Sequence, residues 1–250
     1  MKLSNSDLKK FSRQIIIKKI GINGQKKINN SRVLIIGMGG LGCPLLIYLA
    51  NSGVKKIGIV DDDKITISNL NRQILFSEKD VGKYKVLVAK KKLKLMTNKI
   101  KLKVFKVKVN KYNIKTILKN YQIICDGTDN FETRFLINDY CLKNKKILIS
   151  SAISRFDGQL FHFDFRKKTP CFRCFMPETT NENLNCESDG IMTTLAGVAG
   201  SLQANEVIKT ILNTKNNLSG NIMIFNSLSS NFRKVKLLKN PNCKNINLHG

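Results

Sequence analysis

The residues with most chemistry to offer lie in four clusters. In GMGGLG, Gly37, Gly39 and Gly42 occupy GxGxxG positions, with Gly40 as an additional glycine. A bare backbone there lets a phosphate approach, and the helix N-terminus that follows offers unpaired N–H groups to an anion. Nineteen residues after Gly42 stands Asp61, at the end of KIGIV, where a carboxylate would accept hydrogen bonds from ribose hydroxyls. SNLNRQ (68–73) and GKYK then supply Arg72 and Lys85. A cationic pair near phosphates suits a triphosphate whose pyrophosphate must leave, and is of no use to a nicotinamide. GTDN (127–130) follows a strand end. Its Asp129 suits Mg²⁺, which favours one or two carboxylates plus phosphate oxygens. Each feature also has a plain reading. The glycines could simply pack a helix, Arg72 and Lys85 could be solvated charges, and Asp129 could cap the next helix.

The fourth cluster is CFRC, where Cys171 and Cys174 have the spacing of half a tetrahedral zinc site. A redox CxxC would follow a strand in a thioredoxin-like unit, which this motif does not. The seven cysteines are odd in number and scattered, which points to a reducing cytoplasm rather than a disulfide framework. Cys43, Cys125 and Cys141 fall on core-facing stretches and read as small hydrophobes. Cys186, in NENLNCESDG, lies in a polar segment where a structural cysteine is out of place. Glu182, Glu187 and Asp189 beside it would raise its pKa. The two histidines, His162 and His249, have no convincing catalytic setting.

Strands and helices must position these groups. Apolar runs at 33–36, 56–60, 101–109, 122–126 and 146–150 read as strands, alternating with helical spacing at 41–52, 82–96, 111–120 and 130–144. That alternation predicts a Rossmann-like α/β fold, a doubly wound parallel sheet to about residue 150. Afterwards, strands at 158–165 and 220–227 and a helix at 195–212 predict a more antiparallel portion, with a long crossover loop over 166–190. With no repeat and no linker, residues 1–250 read as one domain, of which 1–150 form the nucleotide-binding half.

The net charge of +27 raises nucleic-acid binding as a function, but its make-up argues against it. Only 8 of the 44 basic residues are Arg, the side chain suited to bidentate phosphate contacts. Lys, Asn and Ile are abundant throughout and share AT-rich codons, so genome bias accounts for the charge. Attraction of an acidic protein partner is the alternative. No run of 18 uncharged apolar residues occurs and the start is polar, so neither a membrane span nor a secretory signal is expected.

Taken with RQI (13–15), GxxGQ (21–25), GQL (158–160) and AGVAGSLQANEVIK (196–209), these motifs resemble the ThiF/MoeB/HesA family of ubiquitin-activating-like adenylyltransferases. The resemblance spans nearly the whole chain. It implies that the C-terminal Gly-Gly carboxylate of a ubiquitin-like sulfur-carrier protein attacks the α-phosphate of ATP, giving an acyl-adenylate and pyrophosphate. That carboxylate is already ionised at neutral pH, so catalysis would rest on positioning and charge neutralisation. The resemblance also assigns roles. The glycine loop, Gly40 included, approaches the nucleotide, and Asp61 holds the ribose. Ser68, Asn69, Arg72 and Lys85 serve the phosphates. Asp129, beside Asn130, holds Mg²⁺. Arg13 reaches into the ATP site of the second copy in a symmetric homodimer.

The same resemblance bears on the cysteines and the carrier. Relatives complete a zinc site with a second CxxC near the C-terminus. Here Cys243 aligns with its first cysteine and Ile246 stands in place of the second. His249 could then close a Cys₃His site, or water could be the fourth ligand; a decayed site is the alternative. In thiamine-type relatives the cysteine matching Cys186 attacks the activated carrier, and in molybdopterin-type relatives it is dispensable. CFRCFMPE and FNSLSSNFR lean to the thiamine type, whereas PNC and GCP lean to the molybdopterin type. A reduced genome would more readily keep thiamine synthesis, so the thiamine-type carrier is favoured. No rhodanese-like extension follows residue 250, so a separate sulfur donor is expected. A non-catalytic carrier-binding scaffold and a nicotinamide dehydrogenase are the readings from other classes.

Overall fold

A computed structural model of the chain describes residues 3–97, 99–177 and 190–248. The helices are α1 (Asn5–Lys10), α2 (Ser12–Ile15), α3 (Gly21–Asn30), α4 (Gly42–Asn51), α5 (Lys85–Met96), α6 (Ile114–Leu118), α7 (Phe131–Lys143), α8 (Phe172–Phe175) and α9 (Thr193–Ile211). The strands are β1 (Arg32–Ile36), β2 (Lys56–Val60), β3 (Lys101–Phe105), β4 (Ile123–Asp126), β5 (Ile147–Ser154), β6 (Asp157–Asp164), β7 (Asn221–Asn226) and β8 (Asn231–Lys236).

All eight strands join one sheet in the order β3-β2-β1-β4-β5-β6-β7-β8. The first five run parallel, and β6, β7 and β8 add on as antiparallel neighbours, as the change of pattern near residue 150 predicts. Helices cover both faces, so the central strands are buried on both sides and read as unbroken apolar runs. In β1, Val33 and Ile35 enter one core with α4 and α5, while Leu34 and Ile36 enter the other with α6 and α7. Strand order reverses at β1, with β2 and β3 to one side and β4 to the other. A crevice therefore opens beyond the carboxyl ends of β1 and β4, the usual ligand position in such sheets.

Several boundaries differ from the sequence expectations. β3 stops at Phe105 and not at residue 109. The helix expected over 111–120 shrinks to α6, because Asn110 Oδ1 accepts from Tyr112 N and Asn113 N and fixes a turn there. α5 begins only at Lys85, after Gly82 at φ +83 and a bridge between Lys64 and Tyr84. Within the expected crossover loop lies α8, and residues 178–189 fall outside the described ones. β8 lies outside those expectations: every residue in it is exposed, so it carries no burial alternation. Among the described residues, no helix is long and apolar enough to cross a membrane.

Candidate active site

The glycine turn joins β1 to α4 at the sheet's reversal point. Gly37 adopts φ +92, and a side chain there would lie 2.9 Å from Gly127 O. The turns after β1 and β4 therefore touch, and no larger residue fits between them. A side chain on Gly42 would meet Gly37 O at 2.0 Å, so α4 must start with a glycine. Asp61 Oδ2 accepts from Met38 N at 2.7 Å, and its Oδ1 accepts from Asp63 N at 2.9 Å. The expected ribose acid thus also fastens the glycine turn to the end of β2. Burial pushes the Asp61 carboxyl above its ordinary value, opposed by the Lys85 charge and by these two amides.

The phosphate-facing residues line the next turn. Ser68 is exposed, its hydroxyl 3.1 Å from that of Thr66, and Asn69 Oδ1 accepts from Thr66 N at 3.3 Å. The Asn69 side chain therefore shapes the turn. Arg72 lies along the glycine loop, with Cγ 3.3 Å from the place a Gly40 side chain would occupy. Its Nη1 donates to Ser68 O at 3.1 Å and to Asn71 Oδ1 at 3.2 Å, both on the exposed side. Lys85 is not a solvated charge: it opens α5, is buried, and donates from Nζ to Asp63 Oδ2 at 2.7 Å.

The structure separates the two acids near GTDN. Asp126 is fully buried; Thr128 N and Thr128 Oγ1 donate to its Oδ1 at 2.9 and 2.6 Å, and Ser150 Oγ donates to its Oδ2 at 2.6 Å. Arg134, buried on α7, donates to Ser150 Oγ at 3.2 Å, to Ser151 O at 3.2 Å and to Thr128 O. Gln203 of α9 donates to Asp126 O at 2.9 Å and to Ile149 O at 2.8 Å. Asp126, Ser150, Arg134 and Gln203 thus brace the turn through Thr128, a role the sequence reading did not give them. The signal available was an acid ending the apolar run QIICD. Asp129 is exposed, and its carboxylate has no partner among the described residues, which leaves a hard oxygen donor that fits Mg²⁺. It does not cap the helix: Asn130 does, with Oδ1 accepting from Thr133 N at 2.9 Å. Asn130, expected to bind nucleotide, spends its side-chain oxygen on that cap.

Other predicted residues stand apart from the crevice walls. Gln14 and Gln25, from RQI and GxxGQ, both donate to Ser52 O, at 3.1 and 3.0 Å, and so close the end of α4. Arg13 is exposed on α2. His162 is buried, with Nδ1 2.8 Å from Glu206 Oε1. Cys43, Cys125 and Cys141 are fully buried as expected, and burial raises the pKa of each, Cys43 to about 12.

Cys171, Cys174 and Cys243 converge, their sulfurs all within 4.8 Å of one another and those of Cys171 and Cys243 3.8 Å apart. With Zn–S about 2.3 Å, the edge of a tetrahedral site is about 3.8 Å, so three thiolates of the right kind stand at fitting distances. Burial first, then the neighbouring sulfurs, push Cys171 up to about 12, so a metal would displace protons on binding. α7 frames the cluster: Asn138 Oδ1 accepts from Phe172 N at 2.9 Å, and Asp139 accepts from Arg173 Nη2 at 2.8 Å and Asn245 Nδ2 at 2.6 Å. Ile246 brings no donor atom to it. His249 and Cys186 lie outside the described residues.

With this geometry in place, the ThiF family profile matches residues 11–245. The chain belongs to the ThiF family. It is 41% identical over 238 residues to the "Adenylyltransferase and sulfurtransferase MOCS3" of Culex quinquefasciatus, covering 94% of this chain and 54% of that protein. It therefore spans about half the length of that relative. It is 41% identical over 232 residues to the "Probable molybdopterin-synthase adenylyltransferase" of Porphyra purpurea, covering 92% and 60%. It is 35% identical over 249 residues to the "Sulfur carrier protein adenylyltransferase" of Thermus thermophilus, covering 97% and 92%. Among solved structures it resembles E. coli MccB with ATP, with a TM-score of 0.82, 26% identity, and coverage of 97% and 75%.

Proposed function

We propose that this chain adenylylates the C-terminal carboxylate of a ubiquitin-like sulfur-carrier protein ending in Gly-Gly, consuming ATP and releasing pyrophosphate. One observation carries the reading. The glycine turn, Asp61, Arg72 and buried Lys85 gather at the carboxyl ends of β1 and β2, and Asp129, unpartnered among the described residues, stands on the adjoining turn after β4. In this reading the α-phosphate lies over the glycine turn and Asp61 takes the ribose. Arg72 and Lys85 neutralise the outer phosphoryl groups as the P–O bond to the leaving pyrophosphate breaks. Asp129 would hold Mg²⁺, which supplies charge neutralisation on phosphate oxygens. The carrier's tail would enter by the open cavity that Asp129, Arg134, Ala152, Gln159, Phe172 and Met176 line. Residues 1–150 then serve chiefly the nucleotide, and 151–250 chiefly the carrier and the candidate zinc site, with Asp129 and Arg134 bordering both.

The relatives' names support the molybdopterin-type carrier ahead of the thiamine-type one favoured from CFRCFMPE. Arg13 would complete the ATP site of a second copy, so the working unit in this reading is a homodimer. Cys171, Cys174 and Cys243 would hold zinc, with His249 as fourth ligand. Sulfur would arrive from a separate donor in the cytoplasm, and Cys186 would act only after adenylylation. The test is ATP–pyrophosphate exchange with each carrier type. Exchange that requires the molybdopterin-type carrier is expected. Exchange with the thiamine-type carrier alone would reverse the substrate assignment, and exchange with neither would favour a scaffold.

A further inference from the structure

Lys85 and Asp63 form an unequal ion pair. Lys85 Nζ lies 2.7 Å from Asp63 Oδ2, yet the lysine side chain is 8% exposed and the aspartate side chain 64%. The lysine is the fixed member: it opens α5, and its main-chain N–H donates to Asp63 O at 3.0 Å. Asp63 N donates to Asp61 Oδ1 at 2.9 Å. Both backbone bonds are independent of the Asp63 side chain, which can swing into solvent without loosening the loop. The carboxylate is therefore the member free to leave.

We propose that the Asp63 carboxylate is an internal stand-in for phosphate. It holds the Lys85 ammonium while the crevice is empty, yields it to the outer phosphoryl groups of ATP, and recovers it as pyrophosphate departs. This inference rests on the adenylylation reading above. An ammonium stripped of most of its water is costly without a counter-charge, so a nucleotide-free crevice needs some anion at this point. A partner this exposed binds only weakly, so the greater charge of a triphosphate displaces it. Once displaced, it remains close enough to repel what replaced it. Asp63 thus weakens the grip on ATP and on pyrophosphate alike, but leaves AMP untouched, because AMP lacks the outer groups.

The full chain is titrated calorimetrically with ATP, AMP and pyrophosphate in the presence of Mg²⁺. Asp63→Asn keeps size and acceptor oxygen but not charge. It should bind ATP and pyrophosphate roughly three- to tenfold more tightly, with AMP affinity unchanged. Asp63→Ser should shift both affinities in the same direction. In a Lys85→Met background the tightening should vanish. Weaker ATP binding by Asp63→Asn, equal tightening for AMP, or an effect that persists without Lys85 would overturn the proposal. Wild-type binding with no change in either Asp63 variant would fell this inference alone. A wild-type chain blind to ATP would fell the adenylylation reading, and this inference with it.

Discussion

Asp126 and Asp129 stand three residues apart and have opposite fates. Asp126 is buried and accepts from two hydroxyls and an amide, and Arg134 stands beside it, so it braces the turn. Asp129 is exposed and unpartnered among the described residues, so removing it costs the fold almost nothing. Asp129→Ala should therefore keep the wild-type melting temperature while carrier-dependent exchange falls by roughly a hundredfold or more. A large drop in melting temperature would mean that Asp129 supports the turn instead.

Among the elements, α9 packs against the site with little tolerance. A side chain on Gly200 would lie 2.5 Å from Leu41 O and 2.5 Å from Pro44 Cγ, so this helix rests directly on the glycine turn. Gly200→Ala should push α9 off the turn, costing about 1–3 kcal/mol of stability and lowering exchange together. Gly197, one turn earlier in the same helix, has nothing within 4 Å of an added side chain. Gly197→Ala should instead stabilise by up to about 1 kcal/mol, since alanine loses less backbone freedom than glycine in a helix. Denaturant melts of both variants check the pair. Equal effects would mean that contact with the turn is not what makes Gly200 small.

At the scale of the molecule, acid should act through carboxylates that clip separate elements together. Against burial, Arg173 and Asn245 hold Asp139 below its ordinary value; His162, the Leu218 amide and Lys209 do the same for Glu206. Lys92 and Ser77, again against burial, hold Asp80 at about 2. A carboxyl whose folded pKa is depressed adds stability above its unfolded pKa and loses it as pH falls through the folded one. The melting temperature should hold steady above about pH 5 and fall progressively below about pH 4. The net charge of +27 grows as these acids protonate, and self-repulsion adds to the loss. Constant melting down to pH 3 would show that these clips contribute little.

Local spacing determined the alternation of strand and helix, the turn to antiparallel strands near residue 150, and the chain order of Gly37, Asp61, Lys85 and Asp129. Those features depend on neighbours in the chain, and periodicity and turn chemistry record them. Tertiary contact decided the rest. Cys171 and Cys243 meet at 3.8 Å from 72 positions apart, and Gln203 reaches Asp126 across 77. Asn130 rather than Asp129 caps α7, and Lys85 is buried against Asp63. β8, with no buried residue, shows no period at all, and only its pairing with β7 makes it a strand. Such facts depend on which distant groups share one small, poorly hydrated space, and no local pattern of residues records that.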